Sequence, residues 1–126
     1  MAQTPHEWLL QADYDLETAE CMLQAGRNIY AVFMVHLAVE KALKGVFHKK
    51  FGEMPPKTHN LIYLLQRIGE IPLESLGAFI VELDQASIAT RYPEELASMA
   101  TMYPVDRVLR IIAEGREVLL WVKKIF

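Results

Sequence analysis

Cysteine is nearly absent from this sequence, which contains one thiol, Cys21, among 126 residues. A single thiol forms no intramolecular disulfide and cannot build a cysteine-rich metal site. The sequence also lacks a glycine-rich phosphate loop, a Gly-x-Ser-x-Gly elbow and the paired histidines of zinc proteases. It therefore gives no sign of a P-loop enzyme, a serine hydrolase or a zinc protease, and we expect neither a metal site nor a cofactor.

An excess of positive charge and a long apolar run are also missing. The formal net charge is −3, so we expect no overall attraction to nucleic acid or to an anionic membrane. No segment is apolar enough to span a bilayer, and the first residues do not resemble a signal peptide. The sequence predicts a cytoplasmic protein with no membrane partner.

Apolar residues recur at helical spacing along the chain, and no run alternates with the period of a β-strand. Proline, glycine and capping residues divide the pattern into segments, with Thr4 before the first, Asn28 before the second and Thr58 before a short third. The sequence predicts an all-α, antiparallel, up-and-down bundle of four long helices and one short helix, in a single domain. The predicted ranges are 5–25, 28–51, 60–68, 74–89 and 104–126, with the domain covering 1–126. The connection 93–104 is predicted to hold one turn of helix at 95–99.

The second predicted helix is apolar on almost every side, yet it carries His36, Glu40 and Lys44 four residues apart. Residues at this spacing stack along one line of a helix. A carboxylate in an apolar wall is costly to desolvate, so Glu40 requires a partner or a cleft. A salt-bridged ladder is the simpler interpretation, and a charge relay inside a cleft is the alternative.

Two loop-like segments carry further polar residues. His59 precedes a helix start, where backbone N–H groups favour an anion, although it could equally pack over the adjacent Pro-Pro turn. Arg91 follows a helix end, where it complements the helix dipole or presents its guanidinium to a phosphate. Tyr92 would then stack on a base or fill the corner made by Pro93.

The last helix has a second apolar set, which widens its stripe beyond the needs of a simple four-helix core. This excess predicts contact with another chain, made by that helix or by a neighbour. The set comprises Ile111, Val118, Trp121 and Ile125.

Four sequence segments, taken in order, resemble the HEPN (higher eukaryotes and prokaryotes nucleotide-binding) domain family over nearly the full chain. They are Trp8-Leu-x-x-Ala-x-x-Asp-Leu, Ala38-Val-Glu-Lys-Ala-Leu-Lys, Pro55-Pro-Lys-Thr-His-Asn-Leu and Arg91-Tyr-Pro. The resemblance implies a homodimer with a cleft between protomers, a nucleotide or RNA ligand, and a minimal nucleotidyltransferase as partner in a toxin–antitoxin-like pair. Many relatives are metal-independent ribonucleases with an Arg and a His separated by four to six residues. That signature is absent here, because the last histidine in the chain is His59 and none follows Arg91.

Three functional hypotheses follow from the residues and the resemblance together. In the first, the chain binds nucleotide or nucleic-acid phosphate, with Glu40 orienting Lys44 or His36 and Tyr92 stacking on the base. In the second, folding brings two residues together as the catalytic groups of a ribonuclease; in the third, the domain is a non-catalytic interaction module. The phosphate ligands of the first hypothesis are Lys41, Lys44, His59 and Arg91, and the catalytic candidates of the second are His59 and Arg91.

Overall fold

A computed structural model of the chain describes residues 3–126, and every regular element within that range is an α-helix. This confirms the predicted all-α class. The six helices are α1 Pro5–Gln24, α2 Asn28–Phe51, α3 Leu61–Ile68, α4 Glu74–Arg91, α5 Leu96–Met102 and α6 Val105–Ile125.

Local sequence explains most of the helix ends. Thr4 accepts a hydrogen bond from the Glu7 amide at 3.1 Å, and Pro5 is the first residue of α1, as the capping pattern predicts. Gly52 ends α2 and Gly69 ends α3, both with positive φ, where a side chain would clash with the backbone.

Two predicted caps are placed differently in the structure. Asn60, not Thr58, caps α3, because its side-chain oxygen lies 2.9 Å from the Tyr63 amide. Asn28 lies inside α2 rather than at its N-cap, and its amide donates to the Tyr103 carbonyl at 3.0 Å. The side chains of Asn60 and Asn28 thus each bond a backbone group at a helix end, at the start of α3 and at the end of α5.

The connection after α4 contains a seven-residue helix, α5, which extends beyond the single turn predicted at 95–99. None of the α5 residues is buried. A helix that buries no residue needs no apolar stripe, so the sequence of α5 shows little helical periodicity. Met99 alone packs against the core, and it does so while partly exposed.

α2 is the central helix, as its sequence predicts, because it contacts every other helix of the fold. Alanine and valine cover much of its surface, which lets neighbouring helices approach closely. The α2 residues with no exposed surface include Ala31, Val32, Val35, Ala38, Val39, Ala42 and Leu43.

The extra apolar set of α6 is used within the chain. Ile111 and Val118 are buried in the core, and Trp121 and Ile125 pack against it. α6 reaches α2 closely at Gly115, where an added Cβ would lie 2.6 Å from a Val35 methyl group. Ile111 and Val118 are therefore already covered within the chain, whereas contact of α6 or a neighbouring helix with another chain stays a prediction.

The acidic face of α1 is matched by cations from other helices. Asp13 pairs with Lys123 at 2.9 Å, and Glu20 pairs with Arg116, both across to α6. These pairs are exposed and contribute little to stability. They nevertheless neutralise the segment that appears most acidic in the sequence.

Across residues 3–126, no helix has the length and apolar character needed to cross a membrane.

Candidate functional site

A pocket of about 270 Å³ lies between α4 and the segment that leads into α3. Three of its residues, Asp84, Ser87 and Arg91, follow helical spacing and share one face of α4. The full lining is His59, Asn60, Asp84, Ser87, Ile88, Arg91 and Tyr92.

Beneath the pocket, polar side chains of α2 lie between His59 on one wall and Asp84 on the other. Glu40 lies at the centre, with one carboxylate oxygen 2.8 Å from His59 Nδ1 and the other 3.0 Å from Lys44 Nζ. His36 Nδ1 lies 4.0 Å from the same Glu40 carboxylate, and His36 Nε2 lies 3.4 Å from Asp84 Oδ1. We call these five residues the polar chain. They explain how α2 carries charge in an apolar wall, since Glu40 is 3% exposed and has a cationic partner.

The contact with Glu40 fixes which nitrogen of His59 faces the pocket. An ionised carboxylate only accepts hydrogen bonds, so His59 Nδ1 carries the proton. The neutral ring then has its lone pair at Nε2, on a side chain that is 62% exposed. His59 therefore presents a proton acceptor, or a cation when doubly protonated, to a ligand in the pocket.

His36 is kept neutral by its surroundings. Burial lowers the pKa of the His36 imidazole below its ordinary value of 6.5, against opposing contributions from Glu40 and Asp84. Arg91 lies close enough to lower this pKa further. The neutral ring donates from Nε2 to Asp84, which leaves its buried Nδ1 without a hydrogen-bond partner among the described residues.

The state of His36 predicts how stability depends on pH. Because the pKa of His36 is lower in the folded chain, the unfolded chain takes up a proton first as the pH falls through 6.5. The free energy of unfolding should therefore be highest above pH 6.5 and fall below it, by at most about 1.4 kcal/mol per pH unit from this residue. Urea denaturation between pH 5 and 8 measures the slope. His36→Gln should remove the part of this slope that His36 contributes, whereas His6→Gln, on the exposed start of α1, should leave the slope unchanged. An unchanged slope in His36→Gln would contradict a lowered pKa of His36.

Asp84 is a site residue that the sequence pattern alone does not indicate. Its Oδ1 accepts the Leu61 amide at 3.0 Å and faces His36 Nε2, so it joins α4 to the start of α3 and to α2. The available signal was its position seven residues before Arg91, which places both on one face of α4. Asp84 thereby helps to fix the segment that carries His59.

The first amides of α3 are already occupied. Asp84 accepts from Leu61, and the Asn60 side chain accepts from Tyr63 at 2.9 Å. The expectation that these N–H groups attract an anion is therefore wrong for the two amides that side chains occupy. Any attraction for an anion must come mainly from side chains.

Arg91 supplies positive charge to the pocket. Its guanidinium lies 4.6 Å from the centre of the Phe33 ring, and its buried Nε has no hydrogen-bond partner within residues 3–126. Arg110 differs, since it donates to Glu82 at 2.9 Å, and this bond raises its pKa. A guanidinium on an aromatic face, with no carboxylate pair among the described residues, can bind an anionic ligand.

The structure brings together some of the predicted ligands and separates others. His59, Arg91 and Tyr92 line the pocket, and Glu40 lies directly behind His59. Lys41 does not line it, because its ammonium pairs with Asp15 of α1 at 2.9 Å. The Lys44 ammonium is occupied by Glu40 and lies 6.0 Å from the ring centre of Trp8.

The pocket thus combines an exposed imidazole, an available guanidinium and an exposed aromatic ring. The imidazole accepts or donates a proton, the guanidinium matches the geometry of phosphate, and the ring offers a stacking surface.

Comparison with known proteins identifies the same architecture elsewhere. The family model described as HEPN domain matches residues 5–125. The crystal structure of TT1696 from Thermus thermophilus is 25% identical, with a TM-score of 0.80 over 99% of this chain and 100% of that chain. The crystal structure of ST0689, described as an archaeal HEPN homologue, is 24% identical, with a TM-score of 0.78 over 99% of this chain and 100% of that chain. The search of curated proteins found no match.

Proposed function

Because this chain belongs to the HEPN family, we propose that it binds the phosphate of a nucleotide or of RNA in the pocket between His59 and Arg91. The observation that carries the proposal is the convergence of these two side chains, from separate segments, on one pocket. The guanidinium would bind phosphate oxygens, and His59 would donate from Nε2 when protonated. Lys41 and Lys44 are left out because carboxylates already neutralise them.

The charge of the pocket favours a small anion over a polyanionic surface. Lys44 compensates Glu40, and the Asp84 carboxylate is directed to the Leu61 amide and to His36. Arg91 and a protonated His59 then outweigh the single negative charge of Asp84 in the lining. The rest of the molecule is net negative, so binding should depend on this one pocket and not on a general attraction to nucleic acid.

Titration of adenosine 5′-monophosphate and of a short single-stranded RNA, followed by calorimetry, tests the proposal. Arg91→Ala should weaken both interactions about 10- to 100-fold, as expected for the loss of a charged hydrogen bond. Lys124→Ala removes the same charge from the exposed end of α6 and should change little. If both variants bind like the wild type, or if no protein binds either ligand, the phosphate proposal is wrong and an interaction module remains.

The HEPN resemblance adds a homodimer, a minimal nucleotidyltransferase partner and a toxin–antitoxin-like pairing to this proposal. Sedimentation velocity tests the dimer directly, with a single monomer peak across concentration as the contradicting result. Co-purification with a nucleotidyltransferase of the same source tests the pairing.

A second candidate function is metal-independent RNA cleavage, and one observation favours it. Glu40 accepts from His59 Nδ1 at 2.8 Å, an arrangement that orients an imidazole as a general base. His59 Nε2 would take the proton of a ribose 2′-hydroxyl while the 2′-oxygen attacks phosphorus. The bond from phosphorus to the 5′-oxygen then breaks, and that oxygen takes a proton from water. Arg91 would stabilise the charge on the phosphoryl oxygens.

A further inference from the structure

A second, larger groove adjoins the pocket between His59 and Arg91. Its volume is about 630 Å³, and it lies between the end of α4 and α5. Ile88 and Tyr92 line both spaces, so the two share a wall. The remaining lining residues are Gln85, Ala89, Glu94, Glu95, Ser98 and Met99.

The shared wall is apolar and open. Tyr92 is 78% exposed and Ile88 is 74% exposed, and no α5 residue is buried against them. An exposed aromatic ring beside an aliphatic side chain provides a stacking surface for a planar ring. The sequence alone could not locate this surface, because Tyr92 could equally have filled the corner at Pro93.

The charge of the groove restricts what can occupy it. Glu94 and Glu95 line it, whereas the cation Arg91 belongs only to the adjoining pocket. Carboxylates repel phosphate but accept hydrogen bonds from the amino groups of bases. The groove therefore suits an uncharged ring with amino donors and disfavours a phosphodiester backbone.

We propose that this groove is the base subsite of the nucleotide whose phosphate binds His59 and Arg91. The base stacks on Tyr92, and Glu94 or Glu95 accepts from its exocyclic amino group. The site then prefers adenine, guanine or cytosine to uracil, which has carbonyl groups in place of that amine. This inference depends on the proposed function, since the sugar that joins base to phosphate must span two spaces with a common wall.

Cytidine and uridine 5′-monophosphate are a matched pair for the test, because only the cytosine ring has an exocyclic amine. Ribose 5-phosphate provides the phosphate without a base. Calorimetry on the wild type should give cytidine 5′-monophosphate an affinity on the order of tenfold above that of the uridine compound. Ribose 5-phosphate should bind more weakly than either.

Three variants assign the interactions. Tyr92→Ala should weaken each nucleotide on the order of tenfold and leave ribose 5-phosphate unchanged, whereas Tyr92→Phe keeps the ring and the affinity. The double variant Glu94→Gln, Glu95→Gln should remove the preference for cytosine over uracil without weakening the binding of ribose 5-phosphate, because it removes only negative charge. Tyr92 is exposed, so its replacement should leave the fold intact.

Failure of this inference is distinct from failure of the proposed function. Equal binding of all three ligands, unaffected by Tyr92→Ala but lost in Arg91→Ala, would overturn the base subsite and keep the phosphate site. A groove that holds a second copy of the chain or a basic peptide also overturns it. In that case Tyr92→Ala would change the sedimentation of the protein or its peptide binding, but not its nucleotide affinity.

Discussion

Lys44→Met should lower the free energy of unfolding by about 3 kcal/mol, the magnitude expected when one partner of a buried ion pair is removed. Lys44 Nζ lies 3.0 Å from Glu40 Oε2, and their side chains are 10% and 4% exposed. Methionine preserves most of the side-chain volume, so the loss reports on charge and not on packing. Without the ammonium, the Glu40 carboxylate stays in an apolar wall with only the exposed His59 as an available cation.

The double variant Glu40→Leu, Lys44→Met distinguishes charge from packing. Because both charges are removed together, its stability should return to within about 1 kcal/mol of the wild type. Lys124→Met, at an exposed position in the last turn of α6, should change stability by less than about 0.5 kcal/mol. Urea denaturation at pH 7.5, above the range in which His36 titrates, measures all three. Equal losses in Lys44→Met and Lys124→Met would show that the pair does not stabilise the fold.

If the pocket cleaves RNA, His59→Ala should reduce the rate by about 10²- to 10⁴-fold, the range for removal of a general acid–base residue. Glu40 holds His59 Nδ1 at 2.8 Å, so only Nε2 is free for proton transfer. The substitution should not unfold the protein, because the His59 side chain is 62% exposed. The assay is cleavage of single-stranded RNA in EDTA, with a 2′,3′-cyclic phosphate as the expected product.

His6→Ala is the matched control, since this exposed histidine on α1 lies outside the pocket. It should cleave at the wild-type rate. Cleavage that survives His59→Ala, or that requires a divalent metal, would contradict the second candidate function and leave phosphate binding to be judged on its own test.

The helices were predictable because their ends depend on local chemistry. Thr4 with Pro5 begins α1, and Gly52 and Gly69 end α2 and α3, because these residues satisfy or release backbone constraints within a few positions. α5 was underestimated because it buries no residue, which leaves little periodic signal. Burial of Ile111 and Val118 within the chain is not predictable from the sequence, because the close contact of α6 with α2 at Gly115 depends on tertiary packing.

The candidate site was only partly predictable, for a similar reason. Burial of Glu40 follows from its apolar neighbours in α2, and the need for a partner follows from the cost of desolvation. Which cation satisfies it depends on side-chain geometry. Lys41 is one residue away in sequence, yet the helix directs it toward Asp15. Asp84 was missed because an isolated acidic residue in a helix resembles ordinary surface until the fold places it against His36.

If His59 and Arg91 form one anion site, NMR of the imidazole groups should detect it during a nucleotide titration. With adenosine 5′-monophosphate, the His59 ring resonances should shift and saturate, whereas those of the exposed His6 should not move. In Arg91→Ala, saturation should require about 10- to 100-fold more ligand. Equal shifts at His59 and His6, or a His59 response that does not depend on Arg91, would show that the two residues do not share an anion site.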